Sequence, residues 1–549
     1  MRRQASSPRR GVVLIAVLIV VVLLSLAAYK YNDLMVAEYR ATDSSFRAAQ
    51  ARANATSGVN YVAALLMTNL DDTASGNPWD NAGLFQNIAV GSSDKNPGLF
   101  SIASIVAFDD AAPNSQGYRY GLCDEASKIN VNALLLFAQS GKSGGGGMGG
   151  GGPTSAAISP SGSVASSTSA TPGSEPGLLM LMALPNMTED VANAILDWID
   201  PNDPMRTNGA KESYYSGLTP PYHCKNGPLD SLEEMLLIKG VTPQLLFGTD
   251  KNRNGVADPD EDGGGTVDLG WSAYLTVHSR EANFASSGQA RIWLNDQTLD
   301  NLSNSLPAVV DPTLANFIIA ARLYGVSAMP MSSSASTTKP AQADLDAAAA
   351  QIATDQASGT KKLQDIKSLW SLVNATVSVK TGTGKTQKTV SLPSPLNSTD
   401  QQRTLMPPLF DNCTVTQQLD LTPRININTA STTVLNALQA VFNISDTDMQ
   451  SITGKRPVPT DSGIDPIFKS PAWLLTEASV TMKTIKQLDP FITTRSQVYR
   501  FQSVGYSDKG GPVSRIDAIV DANQGRPRIV FWRDLSELGK GFDIPPAGN

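Results

Sequence analysis

Residues 12–29 carry no charge and are closed by Lys30. As a helix this run rises about 27 Å, enough to cross a hydrocarbon core. Any fold of this chain must therefore begin on a membrane segment, or on one that is cut away. Arg2, Arg3, Arg9 and Arg10 precede the run, and positive charge marks the cytoplasmic end, which puts the rest of the chain on the far side. Neither Pro nor Gly interrupts residues 12–57, so the spacing predicts one rod of about 70 Å that leaves the bilayer and continues into solvent. A plain signal anchor fits this pattern. A cleaved secretory signal is also open, since Ser25, Leu26 and Ala27 offer small residues at a cleavage position, although the run exceeds the usual apolar core of about 7–15 residues. No Cys near this segment supports a lipoprotein.

The basic leader ending in Gly11, directly against Val12, resembles that of type IV pilins and pseudopilins. The resemblance implies cleavage between Gly11 and Val12 by a prepilin peptidase, with the membrane helix retained. Ordinary pilins carry Glu at the fifth mature position, where it neutralises the N-terminal amine of a neighbouring subunit. Ala16 stands there in this chain. An unpaired charge at membrane depth costs about 2.5–3.5 kcal/mol, so a subunit with none ahead of it gains by lacking the Glu. Among pseudopilins that lack marks the K-type minor pseudopilin of type II secretion.

Beyond the helix the chain of 549 residues has room for two to four domains. Its net charge of −7 disfavours nucleic acid or anionic lipid as a partner of the head. Cys123, Cys224 and Cys413 allow one disulfide with one thiol left over, and the sequence does not choose the pair. Two stretches, 140–173 and 329–362, are rich in Gly, Ser, Ala and Thr and read as flexible inserts that bury too little apolar surface to offset ordering entropy. The second contains four consecutive alanines, 347–350, which favour some helix.

An internal repeat lies between the chain ends. Lys128-Ile-Asn-Val-Asn132, Arg291-Ile-Trp-Leu-Asn295 and Arg424-Ile-Asn-Ile-Asn428 share the pattern basic, Ile, any, aliphatic, Asn. A helical pattern follows each, with the Asn or a following Thr suited to capping it. Turns and second helices follow at Leu184, Leu306 and Leu438, and the segment from Leu229 is echoed at Trp473. These units look like helix-hairpin-helix modules, whose usual work is non-specific DNA binding through a Gly-x-Gly hairpin. Here the glycines are missing, and Glu189, Asp190, Asp446 and Asp448 would repel phosphate. A packing role is the better reading. A competence-type DNA receptor is the alternative, on the strength of Ile427-Asn-Thr-Ala-Ser431.

The resemblance to K-type minor pseudopilins covers most of the chain. It is carried by Asp124-Glu-Ala-Ser-Lys-Ile-Asn-Val-Asn132, Ile195-Leu-Asp-Trp-Ile-Asp200, Asn202-Asp203-Pro204, Asn208-Gly-Ala with Tyr214-Tyr215, the segment from Lys225 to Glu234, and Thr493-Thr-Arg-Ser-Gln-Val-Tyr-Arg500. It implies an α+β fold: a pilin-like N-terminal transmembrane helix and antiparallel sheet, with a large inserted helical domain built from helix-hairpin-helix-like repeats. The chain's own pattern agrees. Residues 100–108 and 118–123 alternate like strands before the repeats, and 498–504, 515–520 and 528–532 do so after them. The expected division is a leader at 1–11, the transmembrane part of the first helix at 12–30, a pilin-like body at 31–125 and 491–549, and an insertion at 126–490.

Metal chemistry is the one site-like signal. Asp250, Asn252, Asn254, Gly255, Val256, Asp258 and Glu261 fit the calcium-loop spacing Asp-x-Asn-x-Asn-Gly-x5-Glu, with Val256 giving its carbonyl and Glu261 both oxygens. Gly263, Gly264 and Gly265 follow in place of a helix, so this reads as a Ca²⁺ loop without the EF-hand frame, with a solvated acidic turn as the alternative. A second acidic cluster, Asp197, Asp200, Asn202, Asp203 and Glu212, is less patterned and reads equally as helix-end capping. The resemblance to K-type pseudopilins, known calcium binders, favours metal there. No enzyme is expected. His223 and His278 fall in no catalytic spacing, and Gly382-Thr-Gly-Lys-Thr386 is half a P-loop better read as a polar hairpin.

The expected function is that of a minor pseudopilin at the tip of a type II secretion pseudopilus. It is anchored in the inner membrane with its head in the periplasm, initiates assembly and helps to export folded proteins. The resemblance implies other minor pseudopilins and the major pseudopilin as partners. Recognition would run through the first helix, where Phe46, Ala49 and Ala53 fall on one face and small side chains permit close helix approach.

Overall fold

The computed structural model describes residues 10–67, 78–91, 97–105, 117–136, 175–202, 204–259, 261, 267–328, 341–382, 387–457, 465–507 and 510–542, with side chains from Val13 onward. Helix α1, Arg10–Leu66, runs unbroken for 57 residues, about 85 Å. Its first half is bare. In its second half Ala51, Ala55, Val59, Val62 and Leu66 form one buried stripe, the period of a helix lying on a surface.

That surface is an antiparallel sheet of seven strands drawn from both ends of the chain. Strands β1 (Ile88–Val90), β2 (Gly98–Ile105), β3 (Tyr118–Arg119) and β4 (Cys123–Asp124) come before the repeats. Strands β5 (Val498–Ser507), β6 (Ser514–Asp521) and β7 (Arg528–Asp534) follow them. The order is β1-β2-β5-β6-β7, with β3 on β2 and β4 on β5. Because β2 pairs with β5 across some 400 intervening positions (Gln502 faces Ala103), the chain between β4 and β5 is an insertion into one sheet. Two glycines let α1 lie close. A Cβ at Gly505 would meet the Ala51 carbonyl oxygen at 2.1 Å, and one at Gly58 would meet Ser503 Oγ at 2.1 Å. The Ser503 hydroxyl donates to the Ala55 carbonyl and the Asn54 amide to that of Tyr506, which fixes the register of helix on sheet.

Among the described residues the insertion has a single hydrophobic core reaching from Ile129 to Ile492 and including Trp198, Trp271, Trp370 and Trp473. Each copy of the sequence repeat opens with a two-residue parallel strand pair: Ile129–Asn130 on Leu275–Thr276, Ile292–Trp293 on Cys413–Thr414, and Ile425–Asn426 on Ile492–Thr493. Each also holds a pair of helices joined by a short turn. The first pair is α2 (Pro176–Met182) and α3 (Glu189–Ile199), the second α4 (Leu299–Ser305) and α5 (Pro312–Tyr324).

Two expectations need correction here. Residues 342–358 are not a flexible insert: they form a helix, α6 (Gln342–Ser358), whose Ala348 is fully buried. Alanine has the highest helix propensity, and Tyr324, which donates to Asp355, and Ser303, which accepts from Gln356, hold the helix to α5 and α4. The other insert, 140–173, lies outside the described residues. The third helix pair is α7 (Thr432–Phe442) and α8 (Asp446–Lys455), joined at Asn443 in the left-handed conformation; α9 (Met482–Leu488) closes the unit. The second correction concerns the cysteines. Cys123, Cys224 and Cys413 are all free thiols, and burial raises the pKa of each.

Candidate functional site

The exposed face of α1 is the first candidate. Residues 13–35 present Val, Leu and Ile side chains at half to three-quarters exposure, with none buried against the protein. Ala16 is exposed within this stretch, and Gly11 and Val12 lie in the first turns of the helix. Further along, Phe46 is 69% exposed, and Ala49 and Ala53 are exposed on the side opposite the buried stripe. The structure thus brings the three together on a face that the sheet leaves uncovered. Arg52, beside Ala53, pairs with Asp534 at the end of β7.

The second candidate is the loop at 250–261. Its glycine is required: Gly255 has φ +70, and a Cβ there would meet Ile105 at 2.6 Å and the Gly117 carbonyl oxygen at 2.8 Å. Asp250, Asn254 and Glu261 are each at least 95% buried. The Asp250 carboxylate accepts from the Asn254 and Gly255 N–H groups, and Glu261 Oε1 from those of Lys251 and Asn252. Asp258 accepts from the side-chain amides of Asn252 and Asn254. Burial, reinforced by the nearby Glu261 charge against those N–H groups, pushes the Asp250 carboxyl up. Two buried acceptors, Asn252 Oδ1 and Glu261 Oε2, have no hydrogen-bond partner among the described residues. Orphan oxygens beside two buried carboxylates fit a hard cation that takes oxygen ligands. The set is not a cluster of acids. Among the described residues no three His, Cys, Asp or Glu side chains converge, so amide and carbonyl oxygens would complete it.

The loop also sits where insertion meets sheet. Gln502 on β5 donates to the Arg253 carbonyl, Arg515 on β6 to that of Asn252, and Asn254 to that of Gly541. Burial lowers the Arg515 guanidinium to about 10, although Asp250 and Asp517 favour its charge.

The second acidic cluster is already filled. Arg206 reaches Glu175, Asp197 and Asp200 at 2.9–3.1 Å. Asp197, fully buried, also accepts from the backbone N–H groups of Arg206 and Ala210. Burial still pushes its carboxyl up. Glu212 lies apart from this knot, accepting from Cys224 N–H and bonded to His223. Among the described residues Asn202 bonds only Asp200, and Asp203 lies outside them. These side chains end α3 and brace the turn after it, as the capping alternative expects. His278 packs on Phe531, and burial lowers its pKa. The half P-loop falls in the sequence between the paired strands Ala375–Thr381 and Lys388–Pro393, and its residues 383–386 lie outside the described residues.

Sequence reasoning missed the work of the last Asn in each repeat. These residues do not cap the next helix. Asn132 clamps both backbone groups of Leu229, donating at 3.0 Å and accepting at 2.7 Å. Asn295 does the same to Ile366. Asn428 donates to the Phe468 carbonyl and accepts from Trp473 Nε1. Asn130 caps only the short 3-10 turn Val131–Ala133 and Asn426 holds a tight turn, while α7 is capped by Ser431. The recurrence of Asn at one register was the available signal. In the helix pairs, Asp448 is buried and accepts from Thr481 and Thr484, tying α8 to α9.

Residues 127–247 match a family model described as type II secretion system (T2SS), protein K. A curated Escherichia coli (strain K12) protein, provisionally named type II secretion system protein K, is 38% identical over 58 residues, 11% of this chain. The match spans only 18% of that relative's length. Among solved structures, the GspK-GspI-GspJ complex from the enterotoxigenic Escherichia coli Type 2 Secretion System aligns over 90% of this chain and 99% of the matched chain, at 11% identity and a TM-score of 0.35. Residues 127–247 are thus similar to the first domain of type II secretion system protein K, and that likeness covers less than a quarter of the chain.

Proposed function

We propose that this chain is a minor pseudopilin of a type II secretion system, set at the tip of the pseudopilus. The observation that carries the reading is α1: a bare apolar half long enough for a bilayer, continuous with a half that packs on an antiparallel sheet and leaves Phe46, Ala49 and Ala53 uncovered. A helix with a small-residue face can pack closely against like helices. Partner minor pseudopilins would dock there, and the major pseudopilin would add below. The insertion's bulk would stop subunits adding above, so the complex would start assembly and push folded substrates outward. The head would lie in the periplasm. Prepilin peptidase would cut between Gly11 and Val12, leaving Ala16 at the fifth mature position. N-terminal sequencing of protein from membranes should read from Val12; a start at Ala28 would replace this account with a cleaved secretory signal.

The loop at 250–261 would bind Ca²⁺ through Asp250, Asn252, Asn254, Asp258, Glu261 and the Val256 carbonyl. A divalent charge there would offset the two buried carboxylates and tie insertion to sheet. The acidic first turns of α3 and α8, with exposed Glu189, Asp190 and Asp446, weigh against the DNA-receptor alternative, whereas Asp448 is buried on Thr481 and Thr484.

A further inference from the structure

A cavity of about 120 Å³ lies in the seam between sheet and insertion. It sits where β2 leaves β5 at Gln502 and β4 takes over at Arg500, so the edge of β5 is uncovered between them. Three residues of its lining carry buried polar atoms with no hydrogen-bond partner among the described residues: Ser104 Oγ, Arg119 Nε and Gln502 Oε1. Ser104 and Gln502 are at least 95% buried, and Ser104 and Arg119 face each other across β2 and β3. Buried polar groups without partners are rare and costly, about 1–3 kcal/mol each, and three on one cavity call for an occupant.

The charges around it decide what kind. Asp517 is held by the fork of Arg500, and Glu233 by Arg253 and Arg533. Asp124 accepts from Ala126 N–H, Asn426, Thr429 and Ser496. Lys128 is engaged by Glu125, and both Asp250 oxygens take backbone N–H groups. The Arg119 guanidinium alone among these lining charges has an unanswered buried donor. We propose that this cavity binds a small oxyanion of the carboxylate or phosphate class, on Arg119 and the Ser104 hydroxyl. Gln502 would accept a proton of a protonated oxygen or an accompanying water. Its occupancy would stiffen the seat of the insertion on the sheet.

The test uses the full chain in detergent, with chelator present to remove calcium. Melting is followed at fixed ionic strength in chloride, acetate and inorganic phosphate. A saturable rise of about 2–4 °C in acetate or phosphate over chloride is expected, and the stronger arm names the class. Arg119→Gln should abolish the rise and Ser104→Ala reduce it, while Arg526→Gln, an exposed arginine elsewhere, leaves it intact. Equal melts in all three salts, a rise unchanged in both Arg119→Gln and Ser104→Ala, or crystals grown in phosphate that hold only water in the cavity would each overturn the proposal.

Discussion

Replacing Asn132 by Ala should loosen the insertion far more than a surface change does. The Asn132 side chain spans 97 positions to hold Leu229, accepting its N–H at 2.7 Å and donating to its carbonyl at 3.0 Å. Leu229 is 3% exposed, so water cannot replace the lost partner freely. Two hydrogen bonds are worth about 0.5–1.5 kcal/mol each, and stranding a buried backbone group costs about 1–3 kcal/mol. Together these give a loss of roughly 2–4 kcal/mol, which lowers the melting transition of a body this large by about 3–6 °C. Asn132→Asp keeps the acceptor but turns a charged oxygen toward the Leu229 carbonyl, so its loss should be at least as large. Asn295→Ala, which frees Ile366, should match Asn132→Ala because the two side chains make the same clamp. The control is Asn301→Ala, whose exposed amide reaches only Asp296 and should shift stability by less than about 0.5 kcal/mol. Calorimetry or fluorescence melts of the full chain in detergent would report all four. If Asn132→Ala melted within about 1 °C of Asn301→Ala, the clamp would be an incidental contact and the repeat would lose its structural meaning.

Calcium at millimolar concentration should raise the melting temperature, since binding of roughly 10⁻⁴–10⁻³ M stabilises the folded state by mass action. Glu261→Gln should weaken that response, and identical melts with chelator and with calcium would dismiss the metal. A pH effect should arise at Glu281, where burial raises the carboxyl but Arg424 and Arg291 outweigh it and hold it below its ordinary 4.5. A lowered folded-state pKa gives stability that is present above about 4.5 and lost as pH falls below it. The stability gap between wild type and Glu281→Gln should therefore shrink between pH 7 and pH 3.5; a constant gap would show that the pair contributes nothing.

Much of the fold was readable because its signals are local. The helix needed only the absence of Pro and Gly from 12–57, and β5 and β6 announced themselves by alternation. The repeat was legible as a recurring string, and the string marks a recurring strand pair. What stayed hidden depends on distant partners. Nothing near Asn132 says that Leu229 will lie against it, and nothing near Asp197 says that Arg206 will fill the acidic cluster. The helix at Gln342–Ser358 was obscured by composition, because Ser- and Ala-rich stretches read alike until Ala348 finds a surface to cover. The face of α1 was legible in part: spacing grouped Phe46, Ala49 and Ala53, but which face stays open follows from Gly58 and Gly505 seating the opposite one. The loop at 250–261 was legible as a spacing, while its place in the seam required the partners Gln502, Arg515 and Gly541.

The most direct test of the account is whether this chain assembles through α1. The region from about residue 33 should form a stable complex with the partner minor pseudopilins of its system, detected by size-exclusion chromatography with light scattering. Ala49→Asp or Ala53→Asp should disrupt that complex without lowering the melting temperature, because both positions are exposed. Duplex DNA should not be retained at moderate salt. A complex indifferent to both substitutions, or tight salt-sensitive DNA binding with no pseudopilin complex, would contradict it.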